Sequence, residues 1–246
     1  MNGHDTAPLP SLWFGLTLPL RAAALILRHP RLLGASLLPW LLSVGLDAWL
    51  IHRVQTGLGD WIHAHVPAGY AWAVTLILWV ALVIAGVVAF TFIAGIVALP
   101  FNDWLAEQTE SRATPPLPPT ARTSWSGKAR LLSIDLFKTL CALFFGMLGL
   151  ALTWVPGLNL VGIVLEFLVI AFQFLSYPQT RRGEGAWAGA QFVVRHFWAC
   201  LGFGVSFAFL FALPLISSLA LPLAVVGGTL LYARGAHSRL STNLQK

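Results

Sequence analysis

The sequence predicts an all-α membrane protein with two long transmembrane helices, two helical hairpins that only partly penetrate the bilayer, and an N-terminal amphipathic helix in the membrane interface. Three observations predict it. Residues 71–102 run for 32 positions without Asp, Glu, Lys or Arg, whereas a hydrocarbon core about 30 Å thick needs roughly 20 apolar residues at 1.5 Å each. With 57% hydrophobic and 10% charged residues and a mean hydropathy of +0.77, the chain has too little polar surface to cover a soluble domain. The third observation is that the basic residues sit at the ends of apolar runs, the pattern of membrane anchoring rather than of a nucleic-acid face.

Taken in order, residues 1–10 read as a flexible, proline-containing tail. Ser11 is a candidate N-cap for an amphipathic stretch over 11–29, in which Arg21 and Arg28, two turns apart, share one face, as in an interfacial helix. Residues 32–51 supply a first crossing, with Pro39 as a tolerated kink and Asp47 wet at the outer boundary. Residues 53–70 read as a short loop with one basic residue, Arg53, facing away from the cytoplasm; His63 and His65 beside Asp60 lack a third ligand and read as solvated. The long helix 71–112 returns. Residues 113–126, ATPPLPPTARTSWS, form a proline-rich linker that cannot continue it. Two broken apolar regions follow, 127–177 interrupted by Pro156-Gly157 and 186–233 interrupted by Pro214 and Pro222, before a tail at 234–246. The last region predicts uneven arms, 197–213 and 223–233, and eleven residues of helix reach only about half way through a bilayer. All of this is one integral membrane domain.

Charge sets the sidedness. If each broken region is a hairpin that enters and leaves from the cytoplasm, fourteen of the fifteen basic residues, all but Arg53, lie on that side. Both termini are then cytoplasmic and the protein is multi-pass. MNGHDTAPLPSLWF shows no basic n-region or cleavage site, so the first membrane helix is expected to act as the signal. Non-helical backbone at hairpin tips must be buried in protein or line a wet cavity, which implies a homo-oligomer or a pore. Cys141 and Cys200 lie in apolar segments and read as free thiols, not as a disulfide or CxxC site. The eleven tryptophans fall mostly near interfaces as an aromatic belt. No catalytic motif and no metal or cofactor set is present, so an enzyme is not expected.

Three places are candidates for chemistry. Arg28 and Arg31 flank Pro30 at the start of the first crossing, where guanidinium charge and a helix N-terminus converge on an anion, or where both simply anchor at lipid headgroups. Gly157, Leu158 and Asn159 begin a half-helix at a hairpin tip, an anion-facing arrangement used by transporters or else a plain tight turn. Glu166 stands alone in an apolar run, where a carboxylate serves as a proton relay or cation-path group or as a protonated interface contact.

The strings ALPFNDWLAE at 98–107, VPGL at 155–158, SYP at 176–178, LPLI at 213–216 and LPLAVVGGT at 221–229 resemble the CysZ sulfate permease family and its etoposide-induced-protein-like relatives, over roughly residues 12–235. The resemblance implies a bacterial inner-membrane permease, an oligomer, that takes up sulfate for cysteine biosynthesis, with sulfate or a related oxyanion and membrane lipid as partners and no nucleic acid. Family members commonly follow the proline at Pro30 with Gly, an apolar residue and an arginine pair linked with sulfate. This chain reads Arg31, Leu32, Leu33, Gly34 there, and it has Ser176 and Ser217 where Asp and Asn are frequent. A non-transporting scaffold of the same fold, binding partners or anionic lipid through its basic face, is the alternative reading.

Overall fold

Proline and glycine placement accounts for most of the helix breaks in the computed structural model, which describes residues 8–65, 68–113 and 125–244. The described residues form α-helices and short connections, with no strand among them: α1 Pro8–Leu16, α2 Leu18–Arg28, α3 Pro30–His65, α4 Ala68–Glu110, α5 Trp125–Thr153, α6 Asn159–Arg181, α7 Ala186–Arg195, α8 Phe197–Phe211 and α9 Pro214–Leu244. The protein is an all-helical membrane protein, as its composition requires. Residues 1–7 of the expected tail and 114–124 of the expected linker lie outside the described residues.

Four expectations about helix ends are corrected. The stretch 11–29 is two helices bent by 44°, because Pro19 lacks the N–H that would continue the ladder through Thr17. The loop expected over 53–70 is helical as far as His65; its histidines and glycines are weak helix formers but not stops. The side chains of Asp47, Asp60, His63 and His65 lie outside the described residues. The tail expected at 234–246 is helical through Leu244, and Pro222 lies inside α9 without ending it, a tolerance ordinary in membrane helices. The arm expected to have eleven residues therefore contains an apolar stretch of eighteen, Leu219–Ala236.

Contacts divide the chain into two compact units, residues 34–101 and residues 1–33 with 102–246. The smaller holds most of α3 and α4. In the larger, α5 and α6 form one antiparallel hairpin, and α8 and α9 form a second that packs on α6. The first hairpin turns where the sequence expects, at Pro156-Gly157, with Gly157 at φ +88°, a backbone setting that costs other residues a steric penalty. Ala129–Thr153, Asn159–Arg181 and Leu219–Ala236 are each long and apolar enough to cross a bilayer, and the bent pairs α1–α2 and α7–α8 pass the same test as broken spans.

Small residues let these helices approach. Gly162 of α6 lies against the Gly149 carbonyl and Thr153 of α5, and Gly228 of α9 lies against the Phe174 carbonyl of α6. Lipid offers apolar side chains as good a home as protein does, so such close backbone packing is a main source of helix association in a membrane. Between α6, α8 and α9 sits an aromatic core in which Phe203 and Phe207 have ring centroids 4.4 Å apart and Phe174 and Phe211 stack at 5.7 Å. On α5, by contrast, Leu136, Phe137, Leu140, Leu143, Phe144 and Met147 are exposed, a face fit for acyl chains or for a second copy. Cys141 and Cys200 are free thiols.

Candidate functional site

Arg28 closes α2 and Arg31 sits in the first turn of α3, on either side of the break at His29. The break follows from the sequence, since a residue before proline is pushed to extended backbone, and His29 has φ −125°, ψ 102°. His29 then serves both helices: its N–H reaches the Ile26 carbonyl at 3.1 Å and its carbonyl accepts from Leu32 at 2.9 Å. Both arginines are exposed, and among the described residues no ion pair or hydrogen bond reaches either. Their settings differ. Arg28 complements the negative end of the α2 dipole, whereas Arg31 opposes the positive end of α3 by about 0.3–1 kcal/mol, a cost that an anion held at the same place would reverse.

At the hairpin tip, Gly157, Leu158 and Asn159 are all exposed. Asn159 Oδ1 already accepts the Leu160 N–H at 2.8 Å, which occupies one of the first-turn donors of α6. Glu166 lies one face along, its Oε1 2.7 Å from where a Cβ on Gly149 would stand and its carboxylate also facing Gly146. The two glycines thus form the notch that seats it. Among the described residues no hydrogen bond or ion pair joins Arg28 and Arg31, the tip and Glu166 to one another.

A denser polar assembly at the opposite end of the α5–α6 hairpin was not singled out by sequence reasoning. Gly183, at φ +71°, ends α6 with a Schellman turn in which the Glu184 N–H bonds the Gln179 carbonyl at 3.0 Å and the Gly183 N–H bonds Thr180 at 2.8 Å. That reversal brings Glu184 back to accept from the Tyr232 hydroxyl of α9 at 2.9 Å. Upstream in α6, Arg181 pairs with Asp103 at 2.9 Å and Glu107 at 3.2 Å on α4. Arg182 pairs with Glu110 at 3.1 Å. On α5, Lys138 is 1% exposed and donates to Gln179 Oε1 at 3.2 Å, while Asp135 Oδ1 accepts from Ser176 at 3.3 Å.

Two features define this assembly chemically. Its acids, Asp103, Glu107, Glu110, Asp135 and Glu184, outnumber the cations Lys138, Arg181 and Arg182, so its field does not favour a dianion. It also ties the C-terminal end of α4 and both hairpins together, which suits a fixed joint. Burial pushes the Glu110 carboxyl above its ordinary range, against the opposing pull of Arg182. One sequence signal was available: the acids of α4 recur at 103, 107 and 110, one helical face, and the paired arginines follow the other apolar run. Nothing local marked Lys138, which looks like an ordinary flanking cation. No group of His, Cys, Asp and Glu able to hold a metal occurs among the described residues.

Comparison with known proteins adds a family-level finding. Residues 18–222 match the family model described as Sulfate transporter CysZ/Etoposide-induced protein 2.4. A protein named Sulfate transporter CysZ from Pseudomonas aeruginosa is 28% identical over 225 residues, which cover 85% of this chain and 90% of the relative. One of the same name from Pectobacterium atrosepticum is 28% identical over 224 residues, 85% of this chain and 81% of the relative. Another, from Pseudomonas fluorescens, is 27% identical over 231 residues, 87% and 91% respectively.

Proposed function

The chain belongs to the Sulfate transporter CysZ/Etoposide-induced protein 2.4 family, and from that premise we propose that it is a permease for sulfate or a similar oxyanion in the inner membrane of a bacterium. The single observation that carries this reading is the reach of the match: relatives named as sulfate transporters align over most of both chains, and the family match over residues 18–222 takes in α3 to α8 and the start of α9. Feeding of sulfur assimilation and cysteine biosynthesis is part of the proposal, as is a homo-oligomer. So is the arrangement as one integral membrane domain with two long crossings, two hairpins and both termini cytoplasmic.

A dianion leaving water needs hydrogen-bond donors and positive potential along its way. Arg28 and Arg31 supply exposed guanidinium charge at the start of α3, and Gly157, Leu158 and Asn159 supply the start of α6; we assign these residues to oxyanion contact. Glu166 is assigned to helix packing or to the polar path, as a polar group within an apolar helix. The exposed apolar face of α5 supports assembly of copies around a shared passage, which keeps non-helical tip backbone away from lipid. No catalytic step is proposed.

Uptake of labelled sulfate into proteoliposomes holding the purified protein tests the reading, with selenate, molybdate, phosphate and chloride as competitors. Saturable uptake blocked by the near-isosteric tetrahedral anions is the expected result. Folded protein that neither binds nor passes sulfate overturns it and leaves the scaffold reading, a member of the family that binds partners or anionic lipid through its basic face.

A further inference from the structure

Outside the places already described, α1, the α7–α8 corner and α9 line an open cleft of ≈ 260 Å³ whose lining includes Ser11, Arg195, His196, Trp198, Arg234 and Gly235. The corner makes the cleft. Helices α7 and α8 meet at 97°, since the chain leaves helical backbone at His196, φ −111°, ψ 35°, and α7 therefore runs across the hairpin axis. Three elements far apart in sequence then deliver their polar groups to one place. Arg195 ends α7, Ser11 comes from α1, and Arg234 comes from the last turns of the apolar stretch of α9.

The charge of this lining is unlike that of the joint between α4 and α6. Among the described residues it carries two guanidinium groups and a histidine and no Asp or Glu, so the charge these residues bring is positive. Arg234 is held in position by the Phe14 ring, with its guanidinium carbon 4.1 Å from the ring centroid, a contact that fixes a long side chain by its face. His196 Nδ1 donates to the Phe192 carbonyl at 3.1 Å, and its Nε2 lies 3.0 Å from where a Cβ on the cleft-lining Gly235 would stand. Phe197, Trp198 and Ala199, also in the lining, are the first residues of α8, whose N–H groups have no acceptor one turn back. Two fork-shaped cations with a hydroxyl match a compact tetrahedral oxyanion.

We propose that this cleft is a binding site for a tetrahedral oxyanion, either a free one such as sulfate or the phosphate of an anionic lipid headgroup, held by Arg195 and Arg234 from opposite helices. The surroundings admit both sources. Val194 on α7 and Trp198 on α8, both in its lining, are exposed, a setting in which acyl chains run past the corner while a headgroup sits inside. The site does not rest on the permease reading, because binding alone tests it and a protein that moves no sulfate still fills it.

Wild-type protein and variants in phosphatidylcholine nanodiscs, with and without phosphatidylglycerol, separate the sources: labelled sulfate binding reports the free oxyanion, and native mass spectrometry reports retained phosphatidylglycerol. Arg195 is exposed, so Arg195→Gln leaves the fold intact, and it weakens binding of at least one probe about tenfold, the loss expected for one charge-assisted hydrogen bond. Adding Arg234→Gln deepens the loss, and the equally exposed Arg130→Gln, a control for net charge, leaves binding unchanged. Loss confined to sulfate assigns a free oxyanion; loss confined to phosphatidylglycerol assigns a headgroup. No binding of either probe by the wild type, or unchanged binding of both in Arg195→Gln, overturns the site.

Discussion

Arg182 Nη1 donates to both carboxylate oxygens of Glu110 at 3.1 Å, in a pair whose side chains are 17% and 5% exposed. The Glu110 carboxyl is nevertheless shifted upward, because burial outweighs the attraction of Arg182. A carboxyl raised in the folded state binds its proton more tightly there than in the unfolded chain. Its contribution to stability is therefore full below the unfolded value of 4.5 and lost as pH rises through the higher folded value. Thermal unfolding of detergent-solubilised protein between pH 7.5 and 4 is expected to show the wild type gaining on Glu110→Gln as pH falls. A difference that stays level, or that moves the other way, removes the claim that burial dominates at this pair.

Lys138 and Gln179 share the buried end of the α5–α6 hairpin through one hydrogen bond of 3.2 Å, and Gln179 is fully buried. Lys138→Met keeps the aliphatic bulk and removes the donor, so a buried amide oxygen loses its partner, at a cost of about 1–3 kcal/mol. Gln179→Leu in the same background removes the stranded acceptor, and part of the loss returns. The measurement is unfolding of the single and double variants; an additive double variant means that the two side chains do not depend on each other.

The hairpin turn at Pro156-Gly157 and the helix break at Pro30 were legible because proline and glycine act on the local backbone, and local backbone is written in local sequence. The same residues misled at Pro222, where a lipid-embedded helix absorbs a proline that a soluble one would end at, and the polar residues of 53–65 and 234–244 marked a membrane boundary without marking a helix end. A change of solvent is not a change of secondary structure. Arg28 and Arg31 were found by proximity in the chain, whereas Ser11, Arg195 and Arg234 meet only because α1, α7 and α9 pack around one corner. Lys138 likewise acquires its setting from Gln179, forty-one residues away.

Arg28 and Arg31 make no ion pair among the described residues and are exposed, so the double change Arg28→Ala, Arg31→Ala is expected to shift stability by no more than about 0.5 kcal/mol. Assembly, read by size-exclusion chromatography with light scattering, stays as in the wild type. Sulfate affinity falls if these residues contact the anion, and the size of the fall drops with added salt as charge is screened. Unchanged affinity in well-folded double variant moves the oxyanion contact elsewhere.

Gly149 and Gly162 face each other across the first hairpin but confront different obstacles, and that difference is measurable. A Cβ on Gly162 meets backbone, the Gly149 carbonyl oxygen at 2.6 Å and the Thr153 nitrogen at 2.8 Å, so Gly162→Ala must push α5 and α6 apart and is expected to cost about 1–3 kcal/mol. The three atoms nearest a Cβ on Gly149 all belong to the Glu166 side chain, with Oε1 at 2.7 Å and Cδ at 3.1 Å. That side chain has rotamers to move into, so Gly149→Ala costs less. The cost also depends on Glu166: with Glu166→Ala already in place the obstacle is gone, and Gly149→Ala should become neutral or stabilising through helix propensity. Gly162→Ala, which clashes with backbone, keeps its full cost in that same Glu166→Ala background. Unfolding of the four proteins in each cycle decides the matter. If Glu166→Ala leaves the cost of Gly149→Ala unchanged, the carboxylate is not seated in the Gly146–Gly149 notch, and its position in the hairpin must be sought against another surface, of which a neighbouring copy along the exposed face of α5 is the nearest at hand.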